Sequence, residues 1–239
     1  MTSSMTETQM ATPLIFERPE QAVLAIDGES AAFPIRRVYC VGRNYAEHAR
    51  EMGHDPDREP PFFFTKPADA VVPGTGEVAY PPATSDLHHE IELVVALKGG
   101  GRDVAVAGAM GLVYGFAVGV DLTRRDLQGE AKTMGRPWDM AKGFDQSAPC
   151  GPLVPIESCG DMATGEIGLS VNGEVRQRGD IAQMIWKTPE VIAYLSRLMH
   201  LRPGDLIMTG TPDGVGAIAR GDRVEGWASG LPGVDFRLT

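Results

Sequence analysis

The sequence predicts an α+β fold dominated by mixed β-sheet. Short apolar runs typical of strands recur along the chain, amphipathic helical segments are few, and no strand–helix–strand rhythm repeats. The 239 residues are enough to bury a sizeable core. We therefore expect one main domain over residues 36–239, preceded by a short N-terminal tail and a β-rich lead-in over residues 1–35.

The first third of the chain is predicted to contain mainly strands. Residues 1–13 are polar and should be disordered, whereas residues 37–41 and 62–65 are apolar enough for buried strands. Between those strands we expect a short helix over residues 45–52. Residues 53–61 are rich in Pro, Asp and Gly and predict a loop of the kind that covers a site.

A continuous strand is predicted over residues 87–97 and a second apolar strand over residues 113–120. A helix should then run to about Met134 with Thr123 as its N-cap, which places Arg125, Gln128 and Lys132 on neighbouring turns. A solvated helix face is the alternative interpretation of those three polar side chains.

Three elements are predicted in the last third of the chain. They are a type I′ hairpin around Asn172-Gly173, a helix opened by Thr188-Pro189 whose buried stripe includes Leu198 and Met199, and a strand over residues 205–208. That strand leads into a Gly-rich turn over residues 209–216. The glycines in this segment do not have the spacing of a phosphate-binding loop. A tight turn that presents backbone N–H groups and the Thr211 hydroxyl to a substrate carboxylate is the better interpretation.

Carboxylates mark the two strands before the predicted helix. Glu90 and Glu92 are two residues apart, so in a strand their side chains share a face, and Asp121 follows the strand over residues 113–120. Buried carboxylates repel one another unless a cation lies between them. Three together would form an oxygen-only site that suits Mg²⁺, Mn²⁺ or Ca²⁺ better than zinc. The alternative is a strand face that is simply solvated.

Two further features bear on the chemistry of such a site. His88 and His89 could add nitrogen ligands, which leaves zinc or iron open. His48 and Glu51 lie three residues apart on the predicted short helix, where a carboxylate would orient the imidazole as a water-activating base. A surface helix with exchanging ion pairs is the competing interpretation of this second pair.

Composition excludes some classes of partner. The formal net charge of −10 without a long basic run argues against nucleic acid and anionic membranes. Cys40, Cys150 and Cys159 have no disulfide or metal-binding spacing and indicate reduced thiols. No signal peptide or membrane-spanning run is present in the sequence, so we expect a cytoplasmic location.

Seven motifs in order resemble the fumarylacetoacetate hydrolase family, in its short acylpyruvase-like branch. They are Val41-Gly-Arg-Asn-Tyr45, Glu47-His-Ala-Arg-Glu51, Lys66-Pro67, His88-His-Glu-Ile-Glu92, Asp121-Leu-Thr-Arg-Arg-Asp126, Lys142-Gly-Phe144 and Thr209-Gly-Thr-Pro212. Residues 52–62 and 136–140 additionally resemble the fumarylpyruvate hydrolases of gentisate degradation within this family.

The resemblance implies layered mixed β-sheets, a homodimer and a Mg²⁺ or Mn²⁺ ion, with Ca²⁺ also possible. The residues that match family site positions are Glu90, Glu92 and Asp121 for the metal, His48, Glu51, Lys142 and Gln128 for catalysis, and Lys66, Arg125 and Thr211 for the substrate. Arg43 and Arg124 are candidates for binding a distal carboxylate.

The reaction that the resemblance implies is the metal-dependent hydrolysis of 3-fumarylpyruvate to fumarate and pyruvate. In it, His48 and Glu51 activate a water that attacks the fumaroyl carbonyl, and Lys142 and Gln128 stabilise the oxyanion. Alternatives with the same site are hydrolysis of other acylpyruvates, decarboxylation of oxaloacetate, and isomerisation or hydration of a 2-oxo-dienoate. A non-catalytic metal-binding protein is the alternative from another class.

Overall fold

The computed structural model describes residues 14–46 and 59–239, and β-strands dominate these ranges. The strands are β1 (Val23–Ala25), β2 (Ala32–Pro34), β3 (Arg37–Gly42), β4 (Phe62–Lys66), β5 (Val71–Pro73), β6 (Thr75–Val78), β7 (Leu87–His89), β8 (Ile91–Leu97), β9 (Val113–Val120), β10 (Thr123–Arg124), β11 (Ala148–Cys150), β12 (Val154–Pro155), β13 (Glu166–Val171), β14 (Glu174–Asp180), β15 (Asp205–Met208), β16 (Gly216–Ile218), β17 (Arg223–Ala228) and β18 (Leu231–Leu238).

Helices are short and few in the described part of the chain. The α-helices are Val106–Ala109, Arg125–Met134, Asp139–Lys142, Ile156–Cys159 and Thr188–Leu198, and single 3₁₀ turns occur at Ala68–Ala70, Met110–Leu112 and Ile181–Gln183. This content confirms the predicted α+β class. None of the helices in the described ranges is both long enough and apolar enough to cross a membrane.

The strands form four sheets that mix parallel and antiparallel pairs. The largest sheet has the order β4-β3-β15-β8-β9-β11-β5, with β12 also paired to β9. A five-stranded sheet has the order β14-β13-β17-β18-β6, and the two smaller sheets are β10-β7-β16 and β1-β2. The mixed sheets of the prediction are therefore confirmed.

Strand β8 lies at the centre of the largest sheet, and all of its residues are buried. Leu93 and Val95 belong to a core cluster shared with the five-stranded sheet, whereas Val94 and Ala96 belong to a second cluster that includes residues of β1 and β2. Both faces of β8 are thus covered, which explains its nearly continuous apolar sequence. The predicted division between residues 35 and 36 stays a prediction.

The prediction of one strand over residues 87–97 is wrong, because the chain changes sheets at Glu90. Strand β7 pairs with β10 and β16 in the three-stranded sheet, and β8 pairs with β9 and β15 in the largest sheet. Leu87 and His89 are buried like the residues of β8. Two buried strands joined by a single residue produce the same apolar pattern as one long strand, so the sequence hid the change.

Three further expectations, one about the start of a helix and two about burial, differ from the structure. Thr123 is not an N-cap: it lies in β10, and its hydroxyl hydrogen-bonds Lys142 Nζ and the Asp121 carbonyl. Leu198 and Met199 are 58% and 39% exposed, so the buried stripe of the helix Thr188–Leu198 ends before them. Strand β4 is an edge strand and is only half-buried.

The predicted type I′ hairpin is confirmed, since Asn172 and Gly173 have φ values of 52° and 83° between β13 and β14. The predictions for residues 1–13 and for most of residues 45–61 fall outside the described ranges.

Candidate active site

The antiparallel pairing of β8 with β9 brings the acidic side chains together. Ile91 pairs with Val120, and the Asp121 N–H donates to the Glu90 carbonyl at 2.8 Å, so Asp121 lies opposite Glu90. Side chains of directly opposed residues share a face of the sheet. Glu92, two residues beyond Glu90, completes a group of three carboxylates on this face.

The three carboxylates are close enough to share one cation. One oxygen from each of Glu90, Glu92 and Asp121 lies within 4.8 Å of the others, and all three residues are buried. This spacing is compatible with a cation about 2.0–2.6 Å from each oxygen, as in Mg²⁺ and Ca²⁺ sites. The arrangement therefore forms an acidic triad that could bind a metal ion.

The neighbouring histidines are not part of this triad. His88 Nε2 lies 2.9 Å from Asp86 Oδ1, and His89 Nδ1 lies 2.9 Å from Gln177 Oε1. In the described residues, the group that can hold a metal contains oxygen ligands alone. Each histidine is therefore hydrogen-bonded to a residue outside the triad, and neither adds a nitrogen ligand to the group that would favour zinc or iron.

Two buried lysines compensate part of the negative charge. Lys142 Nζ donates to Glu90 Oε2 at 2.8 Å, to Asp121 Oδ2 at 2.6 Å and to Thr123 Oγ1 at 2.6 Å. Lys66 Nζ lies 2.8 Å from Asp121 Oδ1 and also contacts the backbone carbonyl of Lys142. Burial acts to lower the pKa of Lys142, but Asp121 and Glu90 outweigh it and raise the pKa above its usual value.

Arg125 binds the triad from the first turn of the helix Arg125–Met134. Its Nη2 donates to Glu90 Oε1 at 2.5 Å, and its Nη1 donates to Gln128 Oε1 at 2.6 Å. Gln128 is buried and its amide is oriented by this bond. The helix therefore presents a fixed cation and a fixed amide beside Glu90.

Glu92 differs from the other two carboxylates because no cationic side chain of the described residues pairs with it. Its Oε2 accepts the Gly210 N–H at 2.7 Å, and Gly210 has a φ of 95° that favours glycine. Burial raises the pKa of Glu92, and the nearby Asp121 and Glu90 charges raise it further. A buried carboxylate without a paired cation fits a site that is completed by a metal ion.

Gln177 on β14 ties three elements together behind the triad. Its Oε1 accepts the Ile91 N–H at 3.0 Å, and its Nε2 donates to Thr211 Oγ1 at 2.8 Å and to the Pro212 carbonyl at 2.9 Å. The Ile91 N–H lies between the two glutamates of the triad. Gln177 thereby fixes the backbone that carries them.

We expect the Gln177→Ala variant to be less stable by about 1–3 kcal/mol, since it leaves buried donors unpaired. Its Mn²⁺ affinity should fall about 10-fold or more, because outer groups orient metal ligands. Urea unfolding and calorimetric Mn²⁺ titration measure the two effects. Gln21→Ala changes an exposed glutamine that does not border the pocket, and it is the control: Mn²⁺ affinity should be unchanged, and the loss of two hydrogen bonds to backbone carbonyls should cost about 1 kcal/mol or less of stability. A Gln177→Ala variant with unaltered Mn²⁺ affinity would contradict this role.

A pocket opens over the triad. The residues that border it include Glu90 and Glu92 of the triad together with Arg43, Phe64, Arg125, Gln128, Lys132, Trp138, Lys142, Gly210 and Thr211. Thr211 also borders the pocket, but its hydroxyl already accepts a hydrogen bond from the Gln177 amide. Carboxylates, cations and an amide therefore meet at a concave surface, where perturbed groups are typical of catalysis.

Residues 37–239 match the family model described as "Fumarylacetoacetate (FAA) hydrolase C-terminal". The chain belongs to the fumarylacetoacetate hydrolase family. This family assignment, together with the fold, makes the chain an enzyme of a family that contains hydrolases, isomerases and decarboxylases.

Relatives within the fumarylacetoacetate hydrolase family have different named activities. A crystal structure of fumarylpyruvate hydrolase from Pseudomonas aeruginosa in complex with Mn²⁺ and pyruvate is 53% identical, with a TM-score of 0.93, and the match covers 95% of this chain and 99% of that one. The mitochondrial oxaloacetate tautomerase FAHD1 of Homo sapiens is 41% identical over 203 residues, covering 85% of this chain and 91% of the human protein. The mitochondrial oxaloacetate decarboxylase of Dictyostelium discoideum is 41% identical over 197 residues, covering 82% and 90%.

The structure brings most of the site residues predicted from sequence to one place. Those at or beside the pocket are Glu90, Glu92, Asp121, Lys142, Gln128, Arg125, Lys66, Arg43 and Thr211. His48 and Glu51 lie outside the described residues. Arg124 points elsewhere: its guanidinium lies 4.4 Å from the Phe144 ring centroid, and its Nη1 donates to the Met140 carbonyl.

Sequence reasoning missed the parts played by Gln177 and Thr123. Gln177 lies between Arg176 and Arg178 in a hairpin strand whose other residues are exposed or half-buried, so nothing in its neighbourhood indicates burial. Thr123 has the sequence pattern of a helix cap. Only the position of Lys142 in the fold shows that the Thr123 hydroxyl accepts a hydrogen bond from the Lys142 ammonium group.

Proposed function

We propose that this protein is a metal-dependent hydrolase that cleaves the C–C bond of 3-fumarylpyruvate to give fumarate and pyruvate. Glu90, Glu92 and Asp121 hold Mg²⁺ or Mn²⁺, with Ca²⁺ as an alternative, and the active assembly is a homodimer. The triad supports the metal, since its donors are all oxygen and Glu92 pairs with no cationic side chain among residues 14–46 and 59–239.

One observation carries the choice of substrate. The Pseudomonas aeruginosa structure with Mn²⁺ and pyruvate is named a fumarylpyruvate hydrolase, and it matches this chain over nearly the full length of both at 53% identity. Pyruvate is one product of the proposed reaction. The pocket adds chemical support, because Arg43 and Lys132 border it in addition to the two cations, Arg125 and Lys142, that pair with Glu90.

A bound divalent cation would polarise a carbonyl oxygen of the substrate and accept the negative charge that develops there. The chain supplies the remaining chemistry. Lys142 stays an ammonium group, since Asp121 and Glu90 hold its proton, and its charge stabilises an oxyanion beside the triad. Arg125 holds the Gln128 amide toward the same space.

Water activation is assigned to His48 and Glu51 on the sequence alone. His48 takes the proton of a water that adds to the fumaroyl carbonyl carbon, and Glu51 orients the imidazole. When the C–C bond breaks, its electron pair goes to the pyruvyl carbon, which is then protonated. The water oxygen leaves in the new fumarate carboxylate.

Oxaloacetate is the second candidate substrate. The human and Dictyostelium discoideum relatives, a tautomerase and a decarboxylase of oxaloacetate, favour it at 41% identity. Neither of these reactions cleaves a C–C bond with water. If oxaloacetate is the substrate, His48 and Glu51 are therefore not needed to activate a water molecule.

The deciding experiment compares both substrates on the full chain after EDTA treatment and after reloading with Mg²⁺, Mn²⁺ or Ca²⁺. We expect kcat/KM for fumarylpyruvate to exceed that for oxaloacetate by about 100-fold, or about 2.7 kcal/mol. EDTA should abolish the loss of fumarylpyruvate absorbance and Mn²⁺ should restore it. A preference for oxaloacetate reassigns the activity, and turnover that survives complete metal removal rejects the metal-dependent mechanism.

A further inference from the structure

One face of the helix Arg125–Met134 borders the pocket along its whole length. Arg125, Gln128 and Lys132 follow the spacing i, i+3 and i+7, and all three border the pocket. Arg125 is bonded to the triad member Glu90. Lys132 lies seven residues further along, about 10 Å away along the helix axis at the usual rise. It therefore borders the pocket about two helical turns beyond Arg125, the residue of this helix that is bonded to Glu90.

Two aromatic rings contact two of the cations that border the pocket. Lys132 Nζ lies 5.2 Å from the Trp138 ring centroid, and the Arg43 guanidinium lies 5.4 Å from the Phe62 ring centroid. The two rings contact each other edge to face, with centroids 5.2 Å apart. Aromatic faces attract cations without neutralising them.

Neither cation forms a close ion pair with a carboxylate within the ranges that the structure describes, although the Glu59 charge acts on Arg43 and the Glu90 charge acts on Lys132 from a longer distance. The ion pairs found there do not include Lys132 or Arg43, in contrast to Arg125, Lys66 and Lys142. Burial lowers the pKa of Lys132, and the positive charges of Arg125 and Arg43 lower it further. An anion that enters between Lys132 and Arg43 would relieve this repulsion.

Arg124, the other arginine considered for this role, is directed toward Phe144 and Met140 and does not border the pocket. Lys132 is therefore better placed than Arg124 to contact the outer end of a bound substrate.

We propose that Lys132, with Arg43 beside it, binds the substrate carboxylate that lies away from the metal triad, and so selects dicarboxylic over monocarboxylic acylpyruvates. The inference rests on the proposed function and names the residue that determines specificity at the same site. Lys132 acts on binding, because in the described residues Arg125 and Lys142 pair with the triad and Lys132, about two helical turns beyond Arg125, does not.

The test compares Lys132→Met with the wild-type full chain, both loaded with Mn²⁺. The substrates are fumarylpyruvate, which has the distal carboxylate, and acetylpyruvate, which has a methyl group there. We expect the ratio of kcat/KM for fumarylpyruvate to that for acetylpyruvate to fall about 10- to 100-fold, mainly through a higher KM for fumarylpyruvate. Lys132→Arg, which keeps the charge, should retain most of the ratio.

Product inhibition gives a readout that does not depend on the chemical step. Fumarate keeps the distal carboxylate after cleavage, so its inhibition constant should rise about 10-fold or more in Lys132→Met, while that of pyruvate should not change. Lys98→Met is the matched control, since Lys98 is an exposed lysine that pairs with Glu157 and does not border the pocket.

The outcomes separate the two levels of inference. Equal losses on both acylpyruvates, or an unchanged ratio and unchanged fumarate inhibition, would overturn the role of Lys132 and leave the hydrolase intact. A wild-type protein that fails to hydrolyse fumarylpyruvate would overturn the proposed function, and the inference with it.

Discussion

Replacing Glu92 with glutamine should remove both the metal and the activity. Glutamine keeps the size of the side chain and can still accept the Gly210 N–H, which lies 2.7 Å from Oε2 in the structure. It loses the one triad charge that no cationic side chain of the described residues neutralises. We expect kcat to fall by about 10³-fold or more, since a catalytic metal contributes several kcal/mol to transition-state stabilisation. Elemental analysis after dialysis should find little Mn²⁺.

Glu157→Gln is the matched control for this substitution. Glu157 is an exposed carboxylate paired with Lys98, so its loss should change neither metal content nor kcat. Full Mn²⁺ occupancy together with normal turnover in Glu92→Gln would refute the assignment of Glu92 as a ligand.

Removing the ammonium group of Lys142 should affect stability as well as rate. In Lys142→Met, Glu90 and Asp121 lose a buried cation that lies 2.8 Å and 2.6 Å from their oxygens. Breaking one side of a buried ion pair costs about 3–5 kcal/mol, because the remaining charge is uncompensated. We expect a loss of this size in the free energy of unfolding, measured with urea in EDTA. The rate of fumarylpyruvate cleavage should fall about 10²- to 10³-fold with Mn²⁺ present.

Metal should partly rescue the stability of this variant but not its rate. A bound divalent cation neutralises the triad, so added Mn²⁺ should stabilise Lys142→Met strongly, as any ligand that binds the native state does. Lys98→Met, at an exposed lysine, should change the free energy of unfolding by less than about 0.5 kcal/mol. An unfolding free energy unchanged by Lys142→Met in EDTA is incompatible with the ion-pair network described above.

Local sequence patterns were sufficient to predict the elements whose conformation depends on their own residues. The Asn172-Gly173 turn needs two residues with positive φ, and few other residue pairs supply them so readily. Strand β9 is uniformly apolar and ends at a single carboxylate, so its limits were predictable. Glu90, Glu92 and Asp121 could be grouped because carboxylates are rare in buried strands.

Patterns failed where the determining partner lies far away in the sequence. The break at Glu90 depends on which strands pair with β7 and which pair with β8, and both segments have the same apolar character. The bonds of Gln177 join residues 34 to 88 positions away along the chain. Lys132 could be placed on a helix face from its spacing, but only Trp138 and the pocket give that face a location.

The distances along the chain between the groups around the triad also affect how the protein folds. Gly210, which donates to Glu92, follows it by 118 residues, and Lys142 follows Glu90 by 52. Contacts between residues so far apart in sequence form late in folding, because closing the intervening loop loses chain entropy before the stabilising contact is made. A partly folded chain therefore offers no preformed binding site, and metal affinity is linked to completion of the native topology. Bound metal should accordingly slow global unfolding while leaving the rate of refolding almost unchanged.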